Sequence, residues 1–318
     1  MQTFCTIITA DHFPKAVVLF KSLKEFNDEM TLQVLVADDG NILPGNAALG
    51  GIKMITLNNL SGNSQFEGLY KKYAHINIDQ FRWALKPLLL RHLIETGFNK
   101  VIFVDCDIFF VNKYDFLFDE LQNSSVILTP HWQNINPLVN ETTFISTFTN
   151  GIFNAGFIGV NSESLPALNW WAEACHFKMG ALSDLGIQDD QKYLDIFPVY
   201  FEKTKILRHK GCNIAPWNNY ICKRTLVNGQ VLINEEFPII FIHFNHVLIK
   251  EILKGHDNLL LPFLNKYKEM FEQEGFSIET FMKDFSNYAK ASPLLRLKWK
   301  ARVRTRIKRY FFRLAESI

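Results

Sequence analysis

The chain has 318 residues, of which 48% are hydrophobic and 21% charged, enough to bury the core of one large α/β domain or of one domain with an appendage. The net charge of +2 is unevenly distributed, because residues 294–313 hold nine Lys or Arg and no acid, which leaves the remaining residues with a net charge of −7. Five cysteines without a CxxC pair argue against a disulfide framework or a zinc site and favour a reducing cytosol.

The first sixty residues alternate between predicted strands and a helix. Segments 3–9, 32–37 and 52–57 are short and apolar, as buried strands are, and Pro14 opens a helical pattern between the first two. This order predicts parallel pairing with right-handed crossovers. Residues 58–80 are polar and contain two glycines, so we expect them to be irregular.

A helix that is apolar nearly all round is predicted from residue 80 to residue 96, with Gly97 as its stop. It carries Arg82 and Lys86, which lie four residues apart and therefore on one face. Cations on a mostly buried helix need anionic partners, and the phosphates of a diphosphate would supply them. The alternative is that both side chains belong to a solvated face.

An aspartate pair follows a wholly apolar strand. Residues 101–104 run into Asp105 and Asp107, and an apolar run of this length predicts a strand buried on both faces. Two carboxylates at its end are costly to bury without a cation, and the simplest one is a hard divalent ion that also carries phosphates. The carboxyl end of a central strand is also where open α/β sheets bind ligands. The alternative is an aspartate that caps the next turn.

The rest of the chain continues the alternation, with a polar loop over residues 130–150 that is long enough to suggest a function. The predicted strands are 126–129, 153–161, 231–234 and 239–244, and the predicted helices are 112–122, 166–178, one that begins near residue 189, and those after residue 256. Two side chains have two interpretations each. Asp38 either contacts a base or ribose or turns the chain before Gly40, and Trp217 either stacks on an acceptor sugar or packs in the core.

Five segments together resemble the nucleotide-sugar transferases of the GT-A fold, and their pattern is nearest to the glycogenin-like and bacterial lipopolysaccharide glycosyltransferases of family 8. Residues 81–108 resemble the helix and strand that lead to the family's DXD motif. The other segments are 6–13, similar to the strand and loop that hold the uridine; 153–161, similar to the NAGFxGxN strand; 189–191, similar to the acidic DQ motif; and 242–244, similar to the late strand with a metal-binding histidine. The resemblance spans about residues 3–250.

The resemblance assigns roles to individual residues. Asp105, Asp107 and His243 would hold Mn²⁺ or Mg²⁺, with His246 as a second candidate for the imidazole ligand. The uridine of the donor is expected to contact Thr9, Ala10 and Asp38, and its diphosphate Arg82, Lys86 and Lys250. The donor sugar is expected to contact Asn154 and Gly156. Its anomeric carbon is expected to lie near Asp190 and Gln191. The family's Gly-x-x-Lys-Pro-Trp segment after the histidine is replaced here by residues 245–250, which keep only the lysine.

Two of these assignments have structural alternatives. His243 directly follows the apolar run 239–242, and a lone histidine in such a place is often a satisfied core residue. Asp189 and Asp190 could cap the helix that is predicted to begin there.

The predicted fold class is α/β: a GT-A, Rossmann-like, mostly parallel sheet flanked by helices, with a helical C-terminal appendage. We expect a transferase domain over residues 1–255, a helical extension over 256–293, and a basic amphipathic tail over 294–318. The tail interleaves its cations with Trp, Tyr and Phe, which suits an interfacial helix on anionic lipid better than a nucleic-acid partner. The protein is therefore expected in the cytoplasm, peripheral on the inner face of the membrane.

The predicted activity is metal-dependent transfer of a sugar, with retention, from a UDP-sugar to a glycan or glycolipid acceptor in cell-surface polysaccharide or lipopolysaccharide synthesis. One alternative is a sugar-1-phosphate nucleotidyltransferase, although segment 9–14 lacks the glycine-rich loop of that class. The other is a catalytically inactive, membrane-associated protein that binds nucleotide sugars.

Overall fold

The computed structural model describes residues 1–38, 50–182 and 186–277. Within these ranges the chain forms fourteen strands and ten α-helices, joined by loops and short 3₁₀ turns. The strands are β1 (Gln2–Ile8), β2 (Leu32–Val36), β3 (Ile52–Ile55), β4 (Lys100–Val104), β5 (Ile108–Phe110), β6 (Val126–Pro130), β7 (Phe153–Asn161), β8 (Ala181–Leu182), β9 (Ile187–Gln188), β10 (Thr204–Ile206), β11 (Arg224–Val227), β12 (Gln230–Ile233), β13 (Phe237–Pro238) and β14 (Phe241–His243). The helices are α1 (Phe13–Lys24), α2 (Ser64–Tyr73), α3 (Ile78–Ala84), α4 (Lys86–Glu95), α5 (Asp115–Glu120), α6 (Glu141–Thr149), α7 (Leu165–Phe177), α8 (Phe197–Tyr200), α9 (His246–Leu253) and α10 (Leu261–Gln273).

A seven-stranded sheet lies at the centre, in the order β10-β6-β7-β4-β1-β2-β3. Six strands run in one direction, and β7 runs the opposite way because it pairs antiparallel with both β4 and β6. This confirms the predicted mostly parallel sheet. The carboxyl end of β4 therefore meets the amino end of its neighbour β7, and the aspartates after β4 lie beside the first residues of β7.

Apolar clusters cover both faces of the sheet, so the fold has three layers. On β4, Val101 and Phe103 pack into the cluster that includes α4 and α7. Ile102 and Val104 pack into the opposite cluster, with α1 and α5. The uninterrupted apolar run before the aspartates thus has the predicted cause, burial on both faces.

A two-stranded antiparallel pair, β5 with β14, adjoins the aspartates. His243 pairs with Ile108, and Phe110 pairs with Phe241. The amide of Phe244 also donates to the carbonyl of Asp107 at 2.8 Å. These bonds bring the late histidine of the sequence next to the aspartate pair.

The region expected to be irregular, residues 58–80, contains the helix α2. Asn63 caps it, because its side-chain oxygen accepts from the amides of Gln65 and Phe66. Gly68 weakens the helical signal in the sequence, but it lies against His176 of α7, and a Cβ added there would be 2.9 Å from the Nε2 atom of His176. The glycine permits close packing of the two helices.

The polar loop expected over residues 130–150 contains the helix α6. Asn140 caps it by accepting a hydrogen bond from the amide of Thr143. None of its residues is buried. A helix whose inner face is only half-buried gives a weak periodic pattern in the sequence.

Two predicted helices are divided. Instead of one helix over residues 80–96 there are two, α3 and α4, which meet at Leu85, and Pro87 lies in the first turn of α4, where its missing amide is tolerated. Instead of one helix from about residue 189, a 3₁₀ segment, Gln191–Ile196, leads into the short helix α8.

The chain divides into a compact unit, Met1–Met270, and a second unit that begins at Phe271 and is described only to residue 277. The domain boundaries expected from the sequence remain predictions, and the basic tail lies outside the described residues. Among the described helices, the longest (α7 and α10) have 13 residues, and none could span a membrane.

Candidate active site

Two carboxylates and an imidazole meet at the carboxyl end of β4. The Nε2 atom of His243 lies 3.0 Å from Oδ1 of Asp107 and 3.9 Å from Oδ2 of Asp105. One ligand atom from each residue lies within 4.8 Å of the other two. Two hard oxygen ligands and one imidazole nitrogen form a donor set that fits Mn²⁺ or Mg²⁺.

The electrostatics of this triad favour charge on Asp107 and on His243. Burial alone would raise the pKa of Asp107, but its contact with His243 lowers that pKa well below the usual range. Burial alone would lower the pKa of His243, yet Asp107 and then Asp105 raise it. The two carboxylates therefore stabilise positive charge at the position where a metal ion would bind.

Gly156 of β7 provides space beside the triad. A Cβ added there would lie 2.8 Å from Oδ2 of Asp105, 2.8 Å from Cε1 of His243 and 2.6 Å from Oδ1 of Asn154. The carbonyl of Gly156 also accepts a hydrogen bond of 2.9 Å from the amide of Asp105. The strand thus approaches the aspartates closely only because this residue has no side chain.

Asn213 fixes the orientation of the His243 ring. Its side-chain oxygen lies 3.2 Å from Nδ1 of His243, while its amide nitrogen donates to Asn154 and Thr129 at 3.0 and 3.2 Å. With Nδ1–H directed at Asn213, Nε2 faces the carboxylates, which is the arrangement usual for histidines that bind metals. Asn213 has a φ of 62°, a left-handed conformation that asparagine adopts more readily than most residues.

Asn154 extends this buried network towards the DQ segment. Its amide nitrogen lies 3.3 Å from Nε2 of His131 and 3.5 Å from Oε1 of Gln191. Nδ1 of His131 lies 2.9 Å from the carbonyl oxygen of Gly151, and burial lowers the pKa of His131 to about 4, so the ring is neutral and donates through Nδ1. The structure therefore brings Asn154, Gly156 and Gln191 together beside the triad.

Lys86 is enclosed by protein partners. It is 3% exposed, and its Nζ atom lies 3.0 Å from Asp190, 3.5 Å from Asp105 and 3.0 Å from the carbonyl oxygen of Ala155. Burial alone would lower the pKa of Lys86, but the two carboxylates raise it. Lys86 thus links the DXD and DQ segments, and its expected contact with a diphosphate stays a prediction.

Asp190 is buried and does not act as a helix cap. Its side chain makes no capping hydrogen bond to the 3₁₀ segment that follows it. Burial raises its pKa, against the opposing effect of Lys86. Asp190 therefore does not cap a helix. Its carboxylate forms an ion pair with the ammonium group of Lys86 instead.

Arg82 belongs to α3, and its side chain reaches the loop after β1. Its guanidinium donates to Asp79 at 3.0 Å, and one terminal nitrogen lies 3.4 Å from Nδ1 of His12. Thr9 contacts the same ring nitrogen at 3.1 Å, and also Asp11. The Nε atom of Arg82 is buried without a hydrogen-bond partner in the described residues.

Of the remaining predicted donor-binding residues, Asp38 and Ala10 are hydrogen-bonded to each other and Lys250 is exposed to solvent. Both carboxylate oxygens of Asp38 accept from the amide of Ala10, at 3.0 and 3.1 Å, so these two residues hold each other. Lys250 is exposed on α9, one turn after His246. Of the two candidate histidines, the described triad includes only His243.

Trp217 packs against the imidazole rings of His243 and His131. Its ring packs edge-on against His243 and His131, with centroids 5.4 and 5.5 Å apart. Its Nε1 atom is buried without a hydrogen-bond partner among the described residues. Trp217 thus lies next to the candidate site. This position decides neither for stacking on an acceptor sugar nor for packing in the core.

Asn213 and His131 are the site residues that the sequence interpretation missed. Asn213 stands next to Ile214, whose amide bonds to the carbonyl of Phe241 in β14. His131 follows β6 directly, at the same sheet edge as the aspartates. That position at a strand end was the available signal for His131, whereas nothing in the sequence pairs Asn213 with His243.

The mostly parallel sheet flanked by helices matches the GT-A fold of glycosyltransferases, as the sequence predicted. The structure is similar to that of mouse xyloside xylosyltransferase 1 in its apo form, with a TM-score of 0.50 and 13% identity over 78% of this chain and 99% of the mouse chain. It is also similar to the galactosyltransferase LgtC in complex with donor and acceptor sugar analogs, with a TM-score of 0.45 and 17% identity over 77% and 87% of the two chains.

At the level of sequence, the chain is 25% identical to the uncharacterized protein YfnF of Bacillus subtilis over 299 residues, which cover 91% of this chain and 97% of YfnF. No protein-family model matches it. At these identities the structural likeness concerns the fold alone.

Proposed function

We propose that the protein is a metal-dependent glycosyltransferase that moves a sugar, with retention, from a UDP-sugar to a glycan or glycolipid acceptor during synthesis of cell-surface polysaccharide. The observation that carries this proposal is the triad of Asp105, Asp107 and His243 at the carboxyl end of β4. The GT-A fold, shared with mouse xyloside xylosyltransferase 1, supports the same reaction class.

In this proposal the triad holds Mn²⁺ or Mg²⁺, and Gly156 leaves the space that the ion and the donor need. When bound, the ion supplies Lewis-acid stabilisation of the charge on the UDP leaving group. Asn213 holds Nε2 of His243 towards the carboxylates, so the imidazole is oriented before any ligand arrives.

The other side chains bind and orient the donor. Arg82 and Lys250 offer cations to the phosphates, and the opening loop with Thr9, Ala10 and Asp38 receives the uridine. Asn154, Gly156 and Gln191 line the place of the donor sugar. Asp190, held by Lys86, stabilises positive charge that develops at the anomeric carbon.

The proposal is tested by UDP release from a panel of UDP-sugars, with Mn²⁺ and with EDTA, in the presence of glycan or glycolipid acceptors. Asp107→Asn is expected to abolish turnover and to weaken metal-dependent UDP binding at least about tenfold, because a neutral amide is a poorer ligand for a hard ion. Asp119→Asn, the same change at an exposed aspartate of α5, is the matched control and is expected to have no effect.

Three outcomes would contradict the proposal. Normal UDP–Mn²⁺ binding by Asp107→Asn would show that the metal site is elsewhere. Metal-dependent UDP binding without turnover of any donor would favour the inactive binding protein. Release of pyrophosphate from UTP and a sugar 1-phosphate would favour the nucleotidyltransferase.

A further inference from the structure

Residues 135–152, here called the apolar shoulder, expose large hydrophobic side chains. Leu138 is 95% exposed, Ile135 71% and Phe148 60%, and Val139, Ile145 and Ile152 are each about half exposed. No residue of α6, which lies inside the shoulder, is buried. Because these side chains fill no core, their hydrophobicity is not explained by the stability of the described fold. A cluster of this kind marks an interaction surface.

The polar chemistry of the shoulder suits a medium without water. Glu141 is its only charged residue, and it lies in the first turn of α6, where the helix dipole favours an acid. The hydroxyls of Ser146, Thr147 and Thr149 each donate to the carbonyl four residues earlier, at 2.9, 3.2 and 3.3 Å. These groups can therefore leave water without losing their hydrogen bonds, as hydroxyls of helices in lipid do.

The shoulder adjoins the candidate active site. Ile135, Thr147 and Ile152 line a cavity of about 260 Å³ together with His131 and Phe153. The ring of His131 is bonded in turn to Asn154. The cavity, which Arg208 also lines, thus joins the exposed apolar side chains of the shoulder to the residues beside the triad.

We propose that the apolar shoulder inserts into the interfacial region of a lipid bilayer by burial of hydrocarbon. Since it contains no Lys or Arg, it does not require anionic headgroups, unlike the basic tail expected over residues 294–318. Insertion itself is independent of the proposed reaction. If the proposed function holds, insertion also sets the mouth of the cavity at the lipid surface, where a lipid-linked acceptor presents its sugar.

The test uses the full chain and phosphatidylcholine vesicles in about 0.5 M salt, where screening removes attraction by the tail. The protein is expected to co-sediment with the vesicles. Phe148→Ser is expected to lower the partition coefficient about tenfold, since the aromatic area is no longer buried in the interface. Phe177→Ser, the same change at a 72% exposed aromatic residue of α7, is the control and should have no effect.

A dye gives a second readout that a merely structural role would not change. All five native cysteines are buried, so an environment-sensitive label attaches selectively to L138C. Its emission should shift to the blue with vesicles, whereas the same label on F177C should not respond.

Two results would overturn the proposal. One is that the wild-type protein does not bind neutral vesicles, or that Phe148→Ser binds them as well as the wild type does. The other is a wild-type dimer, without vesicles, that Phe148→Ser dissociates, because this result assigns the shoulder to a second copy of the chain.

Discussion

Among single residues, Gly156 sets the space available at the candidate metal site. In Gly156→Ala, the new methyl group would lie within 2.8 Å of three atoms of the site, so Asp105, His243 or β7 must move. We expect metal-dependent UDP binding, measured by titration calorimetry, to weaken at least about tenfold, with a loss of about 1–3 kcal/mol in stability. Gly50→Ala, whose Cβ would meet nothing within 4 Å, is the control. Equal affinity of Gly156→Ala and wild type would contradict the geometry.

Asn213 is expected to act through His243 on a metal ion bound at the candidate site. Asn213→Ala removes the acceptor of the Nδ1–H group, and we expect the affinity for Mn²⁺, measured by electron paramagnetic resonance, to fall about 10–100-fold. Asn213→Gly should lose as much, although glycine adopts a φ of 62° without strain, so the loss is attributable to the side chain. Unchanged Mn²⁺ affinity in both variants would exclude the role.

His131 makes stability depend on pH. Its pKa is about 4 in the native state against 6.5 in the unfolded chain, so between these values the unfolded chain binds a proton that the native state does not. Stability therefore falls as the pH falls through this window, by about 3 kcal/mol from this group. Between about pH 7 and pH 4, the free energy of unfolding of His131→Gln, measured by urea denaturation, should fall by about 3 kcal/mol less than that of the wild type. An identical pH dependence in the variant would contradict a neutral, buried His131.

The sequence pointed to the residues of the candidate triad better than to the residues that support them. Asp105 and Asp107 interrupt an apolar strand, and His243 interrupts another, so each is visible as an anomaly in its own segment. Asn213 lies in a polar segment, where an asparagine is not unusual. Its role depends on a contact with His243, which lies 30 residues further along the chain. Supports of this kind depend on tertiary structure, which local patterns do not encode.

At the scale of elements, Lys86 connects α4 to the end of β4 and to the segment before α8. Lys86→Met leaves the buried carboxylate of Asp190 without its cation, and we expect a loss of about 3–5 kcal/mol in the free energy of unfolding. The double variant Lys86→Met/Asp190→Asn should recover part of this loss, because the fully buried carboxylate of Asp190 is then also removed and only the half-buried Asp105 lacks the cation. Additive effects in this double-mutant cycle would show that the two residues do not interact.

The elements differ in how well the sequence predicts them, according to what they bury. The helix α7 and the strands β1, β2, β4 and β7 were predicted because their burial is continuous or periodic. The helix α2 was missed because Gly68, needed for contact with α7, looks like a helix breaker. The helix α6 was missed because none of its residues is fully buried, and its exposed apolar side chains are also the reason for assigning it to lipid.

At the scale of the whole molecule, two separate surfaces are expected to meet a membrane. Deletion of residues 294–318 should weaken binding to anionic vesicles at low salt to the level seen with neutral vesicles, because the nine cations of residues 294–313 are removed while the apolar shoulder remains. Metal-dependent UDP binding should survive the deletion, since the triad lies wholly within residues 1–270. Undiminished binding of the shortened protein to anionic vesicles at low salt would contradict a role for the tail.

The pairing of β5 with β14 has a consequence for folding. It joins Asp107 to a histidine more than a hundred residues further along the chain, so the triad forms only after a slow, long-range closure of the backbone. An ion bound there acts as a reversible cross-link, which stabilises the native state by about 2.7 kcal/mol at a hundred times its dissociation constant. Manganese should therefore raise the melting temperature, and luminescence of terbium at the triad would time the last step of refolding.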